Sequence, residues 1–375
     1  MDGKFIISQK DILSLLTSMQ PICSKKTTLD VTESIMFQVA PKELTLKSTD
    51  LQISLQSSMP IESNFTENFD FLISGKRIFD LVKEMEGDIE FNFKEGQLNL
   101  KAGGVKLLLN IKDAQDFPQF PERIENLMQV DSSFLLDLLN KVAFLIPQNN
   151  SNAALNGMLL EFNENGMLMV ATDGHRLAKI STGKYKLSEN KKWLLPKRAV
   201  LELKKILEET KSENVFLGVC GSQLVFSGSN FNFFTKLISD PFPHYEPILE
   251  KEGFRAASLD KQSFLKTLKR TSCLLAGQFV STNFKFQPGK LAVNLHNKEV
   301  GKIDEALNLD KFEGDQVKSK FYSPYLLSGL QVFPAEKIDF LIHSDAKPII
   351  FETNDQDKDY NLTYLVMPVS ASQEA

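Results

Sequence analysis

Apolar residues fall into two rhythms along this chain, and the same succession of rhythms returns three times. Ile12, Leu15, Leu16 and Met19 sit at i, i+3, i+4 and i+7; Leu135, Leu138, Leu139 and Val142 copy the spacing, and Phe264, Leu265 and Leu268 give a shorter version. Periodicity of this kind predicts one-sided helices near 8–20, 131–145 and 260–275. Ser8, Asp131 and Asp260 stand where an N-cap oxygen accepts first-turn N–H groups. A second helix is predicted in each copy near 74–86, 196–210 and 323–333. It rests on Ile78, Leu81, Val82 and Met85, on Val200, Leu203 and Leu207, and on Leu326, Leu330 and Phe333. Ser323-Pro324 reads as a cap followed by proline at the first helical position, where its missing N–H costs nothing.

Between the helices the rhythm shortens to two. Ile35, Phe37 and Val39 turn through Pro41-Lys42 into Leu44 and Leu46. Met158, Leu160 and Phe162 turn through Asn165-Gly166 into Leu168 and Val170, and Phe284 and Phe286 turn through Pro288-Gly289 into Leu291 and Val293. After the second helices come Ile89, Phe91 and Phe93 with a turn at Gly96, Val215, Leu217 and Val219 with a turn at Gly221, and Ile338, Phe340 and Ile342 with a turn near Asp345. Alternation around such turns is the mark of a half-buried antiparallel hairpin.

Each helix has one apolar face, which needs a sheet to lie on. The expected class is therefore α+β, as three modules that each pack two helices on antiparallel sheets. The repeat period is about 120–130 residues, a domain-sized length. Proline-rich joints at Asp116-Phe117-Pro118 and Asp240-Pro241-Phe242-Pro243 place the domains at 1–127, 128–256 and 257–375. No long linker separates them, so the copies are expected to pack end to end.

Composition narrows the functional classes. The formal charge of −5 over 375 residues excludes a uniformly basic nucleic-acid binder, so affinity for phosphate requires segregated charge. Phenylalanine is used 29 times against one tryptophan, Trp193, which fits sheet-rich cores. Cys23, Cys220 and Cys273 are too scattered for a disulfide framework or a zinc site, and the four histidines are equally dispersed. No metal or cofactor is expected. No apolar run approaches the ~18 residues of a membrane span, and the N-terminus lacks the apolar core of a signal peptide, so the expectation is a cytosolic chain without membrane contact.

Ser74-Gly75-Lys76-Arg77 lacks the earlier glycine of a phosphate-binding loop, and no other catalytic signature is present. The stretch Ala171-Thr172-Asp173-Gly174-His175-Arg176-Leu177-Ala178 is different. Its Asp-Gly turn bearing His and Arg reads as an acid/base site, as a plain tight turn, or as an interaction site. Basic residues gather on the predicted helices: Lys76, Arg77, Lys83, Lys141, Lys197, Arg198, Lys204, Lys205, Lys261, Lys266, Lys269 and Arg270. Lysines on helix faces are commonly solubility devices. Their recurrence across copies, with acidic Glu62, Glu67 and Asp70 kept to strands and loops, points instead to one positive surface.

The octapeptide at 171–178, preceded by Leu155-Asn156-Gly157-Met158-Leu159, followed by Phe242-Pro243-His244-Tyr245 and closed by Tyr364-Leu365-Val366-Met367-Pro368, resembles the bacterial DNA polymerase III beta subunit, the sliding-clamp family. The match runs the length of the chain in the same order. The resemblance implies a non-catalytic processivity subunit of a polymerase (nucleotidyltransferase) holoenzyme, a half-ring that pairs head to tail into a ring-shaped homodimer around double-stranded DNA. It assigns the subunit contact to Lys106, Leu107 and Leu109 against Cys273 and Leu274. It places Lys26 and Asn149 at DNA-contact positions of the family; together with the cations gathered on the helices, Lys76, Arg77, Lys197, Arg198, Lys204, Lys205 and Lys266, these are the expected sequence-independent DNA contacts.

The resemblance also implies a pocket for short linear motifs, formed by Leu155, Thr172, Gly174, His175, Arg176, Leu177, Pro243, Ile248, Ile349, Val366, Met367, Pro368 and Val369. The implied partners are the replicative polymerase catalytic subunit, the clamp loader, repair and translesion polymerases, ligase and mismatch-repair proteins. Departures are electrostatic: Pro241, Pro247 and Ser370 stand where relatives often carry basic residues, and the acidic segment of the third domain is thinned to Glu299, Asp304 and Glu305. Two other classes remain on the table. A hydrolase would use Asp173 and His175, and a protein-binding scaffold would act without DNA.

Overall fold

The computed structural model describes residues 3–94, 96–121, 123–209, 212–276, 281–353 and 359–369. Six helices carry the long-period segments: α1 Gln9–Cys23, α2 Gly75–Lys83, α3 Ser132–Val142, α4 Lys197–Glu209, α5 Lys261–Cys273 and α6 Ser323–Leu330. The expected caps hold α1, α3 and α5. Ser8 accepts from the Asp11 N–H at 3.2 Å, Asp131 from Phe134 at 2.6 Å and Asp260 from Ser263 at 2.7 Å. Ser323 does not cap α6. Its buried hydroxyl receives the Thr271 hydroxyl at 2.9 Å and donates to Thr282 at 2.7 Å, tying α6 to α5 and the sheet below. The residue flanking that helix is Tyr322, and the proline effect remains.

The chain forms two compact units, Met1–Leu136 with Leu201–Leu237, and Asp137–Val200 with Ile238–Ala375. In the first, a four-stranded antiparallel sheet runs Gly3–Ser8, Asp88–Lys94, Gln97–Ala102, Val105–Asn110. Beside it an eight-stranded sheet runs Phe69–Ser74, Ser34–Val39, Glu43–Thr49, Ile53–Pro60, Phe231–Lys236, Gln223–Ser227, Asn214–Cys220, Glu125–Asp131. The second unit repeats the plan. Its eight strands run Lys191–Pro196, Gly157–Asn163, Gly166–Thr172, Arg176–Thr182, Asn361–Val366, Ile349–Glu352, Lys337–Ile342, Arg255–Asp260, and its four run Gly301–Leu309, Gly289–Asn297, Thr282–Gln287, Val317–Phe321.

Each eight-stranded sheet is built from two sequence copies. Ile53–Pro60 of the first copy pairs with Phe231–Lys236 of the second, and Arg176–Thr182 of the second pairs with Asn361–Val366 of the third. These long-range ladders are why the compact units do not coincide with the repeat. Phenylalanines fill the cores. Phe5 stacks on Phe91 at 4.7 Å, Phe37 on Phe71 at 5.0 Å, and Phe71 meets Phe93 at 4.8 Å, joining the four-stranded sheet to the eight-stranded one. Phe286 meets Phe340 at 5.8 Å in the same role in the second unit. Each such ring removes a large apolar surface from water, and offset or tilted pairs add ~0.5–1.5 kcal/mol. Among the described residues no helix is long and apolar enough to cross a membrane.

Candidate functional site

The Asp-Gly turn of the octapeptide joins Gly166–Thr172 to Arg176–Thr182, and its hydrogen bonds are local. Asp173 Oδ1 accepts the N–H groups of His175 at 3.0 Å and Arg176 at 3.1 Å, and Thr172 Oγ1 donates to the Arg176 carbonyl at 2.8 Å. The second carboxylate oxygen takes Arg176 Nε at 2.8 Å. Both Asp173 oxygens are therefore committed to the turn, and the Asp173–His175 pair is not arranged as an acid/base couple. His175 is exposed, with its ring 6.1 Å from that of Tyr325.

Arg176 reaches from this turn to α6. Nη1 donates to Ser328 Oγ at 2.5 Å, and the guanidinium lies over Tyr325 with 4.3 Å from Cζ to the ring centre. Burial disfavours its charge, but Tyr364 and Asp173 outweigh that and raise its pKa above the ordinary value. Tyr364 completes the cluster by donating to the Tyr325 carbonyl at 2.6 Å; burial pushes its phenol up to about 12. The Tyr364 ring presses on α6 at Gly329, where an added Cβ would lie 1.9 Å from a ring carbon. A larger residue there would drive the two apart.

Thr172 ends its strand, Arg176 begins the next, Val366 ends the third and Ile349 begins the fourth, so four pocket candidates share one end of the sheet. Leu155, in the single turn Ala153–Asn156 before Gly157–Asn163, lies at the same end. The pairing register divides them between faces. Arg176, Val366 and Ile349 align across one face, while Leu177, Leu365 and Ile350 align across the other. Val366 and Ile349 are fully buried. The second face carries an apolar cluster of Leu159, Val170, Leu177, Tyr245, Ile350 and Leu365, over which half-buried Ile248 and Met367 pack. The Met367 N–H donates to the His175 carbonyl at 2.8 Å, and that of Val369 to Lys320 at 2.8 Å. Pro243, Pro368 and Val369 are half-buried, and Gly174 is exposed.

Leu365, Tyr325 and Ser328 belong to this site and escape the sequence reading. Strand alternation is the signal that would have found Leu365, because it shares a face with Leu177 when Val366 does not. Nothing local announces Tyr325 or Ser328, which arrive by a long-range packing of α6.

The cationic candidates divide by exposure. Lys26, Lys76, Arg77 and Lys266 are exposed, as is Asn149, which adopts φ +59°, a left-handed conformation that asparagine tolerates. Lys26 follows α1, and Lys76 and Arg77 open α2 at the same end of the helix pair. There Cys23 packs so closely on Gly75 that a Cβ would lie 2.2 Å from its sulfur. Lys197, Arg198 and Lys204 are half-buried, and Lys205 is bonded to Glu202 at 3.1 Å. Lys141 departs from the sequence expectation of a positive surface. It is buried against Tyr360, 5.1 Å from the ring centre, and ion-paired with Asp137, so it serves the core.

Lys106, Leu107 and Leu109 lie on Val105–Asn110, an edge strand with one neighbour, where Leu108 is 57 % exposed. Beside it Leu108, Leu109, Asp30, Glu33 and Arg77 line a cleft of about 750 Å³. Cys273 is exposed at the end of α5, and the Leu274 carbonyl accepts from Asn297 Nδ2 at 3.0 Å, next to the edge strand Gly301–Leu309. Ser370 and the following Ala371 to Ala375 lie outside the described residues.

Comparison with known proteins gives one consistent result. Family models for the N-terminal, central and C-terminal domains of the DNA polymerase III beta subunit match residues 3–121, 129–244 and 247–370 in turn. Beta sliding clamps of Pseudomonas putida and Pseudomonas aeruginosa are each 27 % identical over 371 residues, covering 97 % of this chain and 99 % of theirs. A solved sliding clamp of Pseudomonas aeruginosa superposes with a TM-score of 0.90 at 26 % identity, covering 98 % of this chain and 100 % of that one. The clamp of Bacillus subtilis, 21 % identical, superposes at 0.91 over 99 % of this chain and 100 % of its own, which shows the shared fold.

Proposed function

The chain belongs to the DNA polymerase III beta subunit family, and from that premise we propose that it closes head to tail with a second copy into a ring around duplex DNA. It is a sliding clamp, a non-catalytic processivity factor that tethers the polymerase. The observation that carries the ring is the repeated sheet junction. Ile53–Pro60 and Arg176–Thr182, equivalent strands of the first two copies, each pair with the last strand of the sheet in the following copy. Their equivalent in the third copy is Gly301–Leu309, and the last strand of the first copy is Val105–Asn110; both are edges. Pairing these two between subunits repeats the junction already used twice within the chain. A two-fold operator then closes the assembly rather than letting it grow, and removes both aggregation-prone edges.

Lys106, Leu107 and Leu109 thus face Cys273 and Leu274 of the partner, with Leu108 beside them. Arg77, in the cleft next to that edge, is assigned to the subunit contact as well as to the DNA side. Lys26, Lys76, Asn149, Lys197, Arg198, Lys204, Lys205 and Lys266 meet phosphates without reading bases, since phosphate contacts position and only base edges specify. Enclosure supplies retention, so each contact can stay weak.

Partner proteins dock a short linear motif at the strand-end site. Its apolar floor is Leu177 with Leu365, its movable cover Met367 with Ile248, and its rim Leu155, Thr172, Gly174, His175, Arg176, Pro243, Pro368 and Val369, while the buried Ile349 and Val366 back it from the opposite sheet face. A flexible methionine suits capture of varied sequences. The replicative polymerase subunit, clamp loader, repair and translesion polymerases, ligase and mismatch-repair proteins are the proposed occupants. Light scattering tests the ring: twice the chain mass is expected, and a monomer at micromolar concentration would overturn it.

A further inference from the structure

Next to the proposed motif pocket, and sharing Pro243 with it, runs a second depression of about 420 Å³ whose other lining residues the family resemblance leaves without a role. One wall is the sheet's edge strand, through Lys192, Trp193 and Leu194, with Leu159 behind it. The other is the segment that carries Phe242 and Tyr245. A volume of this size holds two or three side chains.

Leu159, Phe242 and Tyr245 also belong to, or pack on, the apolar cluster that includes Leu177, Ile248 and Met367. The groove and the pocket therefore share a wall. The edge strand adds backbone groups. The Leu194 carbonyl already accepts the Ile238 N–H at 2.9 Å on the side away from the sheet, and two-residue alternation aims the Lys192 N–H and C=O the same way. An extended peptide can continue that ladder.

Charge selects the occupant. Asp240 and Glu246 both line the groove, whereas the Lys192 ammonium is engaged by Glu161 at 3.1 Å. His244 Nδ1 sits 2.8 Å from Glu246. The groove is thus apolar on its floor and net acidic at its lip.

We propose that this groove binds the residues flanking the partner's linear motif, taken as an extended segment with one aromatic or aliphatic side chain on Phe242 and Leu159 and a Lys or Arg beside Asp240 and Glu246. The proposal rests on the motif-pocket reading above and extends it to the sequence around the motif.

The test uses synthetic peptides copied from the clamp-contacting segment of the replicative polymerase. One has motif length; the others are extended at either terminus by a phenylalanine with two lysines, a phenylalanine with two glutamates, or three glycines. Trp193, the only tryptophan of the chain and part of the groove wall, reports occupancy by its fluorescence. The lysine extension at one terminus is expected to tighten binding about five-fold or more over the glutamate version and to alter Trp193 emission. Asp240→Lys should abolish that gain while leaving motif-length affinity unchanged. Equal affinity for all extensions at both termini, with the motif-length peptide still sensitive to Met367→Ala, would overturn the groove and leave the pocket intact. Failure of the motif-length peptide to bind, or its indifference to Met367→Ala, would overturn both.

Discussion

The Arg176 guanidinium lies 4.3 Å from the centre of the Tyr325 ring and is held there by Asp173 on one side and Ser328 on the other. Its Nε and Nη1 donors fix the turn to α6, and in the proposed motif pocket its role is to shape the site rather than to contact a ligand. Arg176→Ala should weaken peptide capture about ten-fold and cost ~1–3 kcal/mol of stability, because Asp173 would be left part-buried without its partner. Arg176→Lys should recover only part, lacking the planar fork. Titration calorimetry with thermal unfolding checks this. Unchanged affinity in Arg176→Ala would remove the residue from the site.

Met367 packs half-buried against the apolar cluster that holds Leu177 and Leu365, where it covers the proposed pocket. Met367→Ala or Leu155→Ala is expected to lose ~1–3 kcal/mol of peptide affinity through forfeited apolar burial. Leu177→Ala should do the same and also soften the core. Fluorescence anisotropy with a labelled peptide measures all three, and wild-type affinity in each would reject the pocket.

Leu108 is 57 % exposed on an edge strand whose one neighbour in the sheet is Gln97–Ala102, leaving its other edge open. Leu108→Lys should leave the fold intact, since the side chain is already in solvent, but shift the assembly to monomer by burying an unpaired charge at the subunit contact. Mass by light scattering decides, and an unperturbed dimer would move the contact elsewhere.

Glu305 accepts from Arg270 and, at 2.7 Å, from Thr267, which tethers α5 to the edge strand Gly301–Leu309. The Arg270 bonds lower the carboxyl pKa from its ordinary value, against the effect of partial burial. A depressed folded-state pKa contributes stability that is fully present above the unfolded value, about 4.3 for glutamate, and is lost as pH falls through the folded value. The difference in Tm between wild type and Arg270→Ala should therefore persist from pH 7 to about 5 and shrink progressively as pH falls below about 4.3 through the depressed folded-state value. A difference that grows on acidification would contradict this.

Lys26 and Lys76 are exposed at one end of the α1–α2 pair, whereas Lys205 is tied to Glu202. Reversing Lys26 and Lys76 to glutamate should slow loading onto DNA more than reversing Lys205 does, and lower the salt dependence of binding by about one unit per lost phosphate contact. Identical loading kinetics in all variants would count against a DNA role for these lysines.

Local signals in the sequence reached as far as local physics does. Ser8, Asp131 and Asp260 announce three helices because capping is decided within four residues, and the Asn165-Gly166 and Pro288-Gly289 turns announce their hairpins for the same reason. The ladders Ile53–Pro60 with Phe231–Lys236 and Arg176–Thr182 with Asn361–Val366 join residues far apart in the chain, and no periodicity encodes them. That is why the resemblance-derived pocket mixes the two sheet faces at Val366 and Leu177, and why Tyr325 and Ser328 stayed invisible. Lys141 shows the converse: helical spacing identifies a face, but whether that face meets solvent or Tyr360 depends on what packs there. Ser323 likewise reads as a cap and serves instead as a buried bridge between Thr271 and Thr282.

Encirclement is tested most directly by challenging loaded protein with high salt on nicked circular DNA and on the same DNA after linearisation. A closed ring held by topology predicts persistent retention on the circle and rapid loss from the linear form, by sliding off the ends. Equal loss from both, at the same salt concentration, would mean that contacts rather than enclosure hold the protein and would contradict the account.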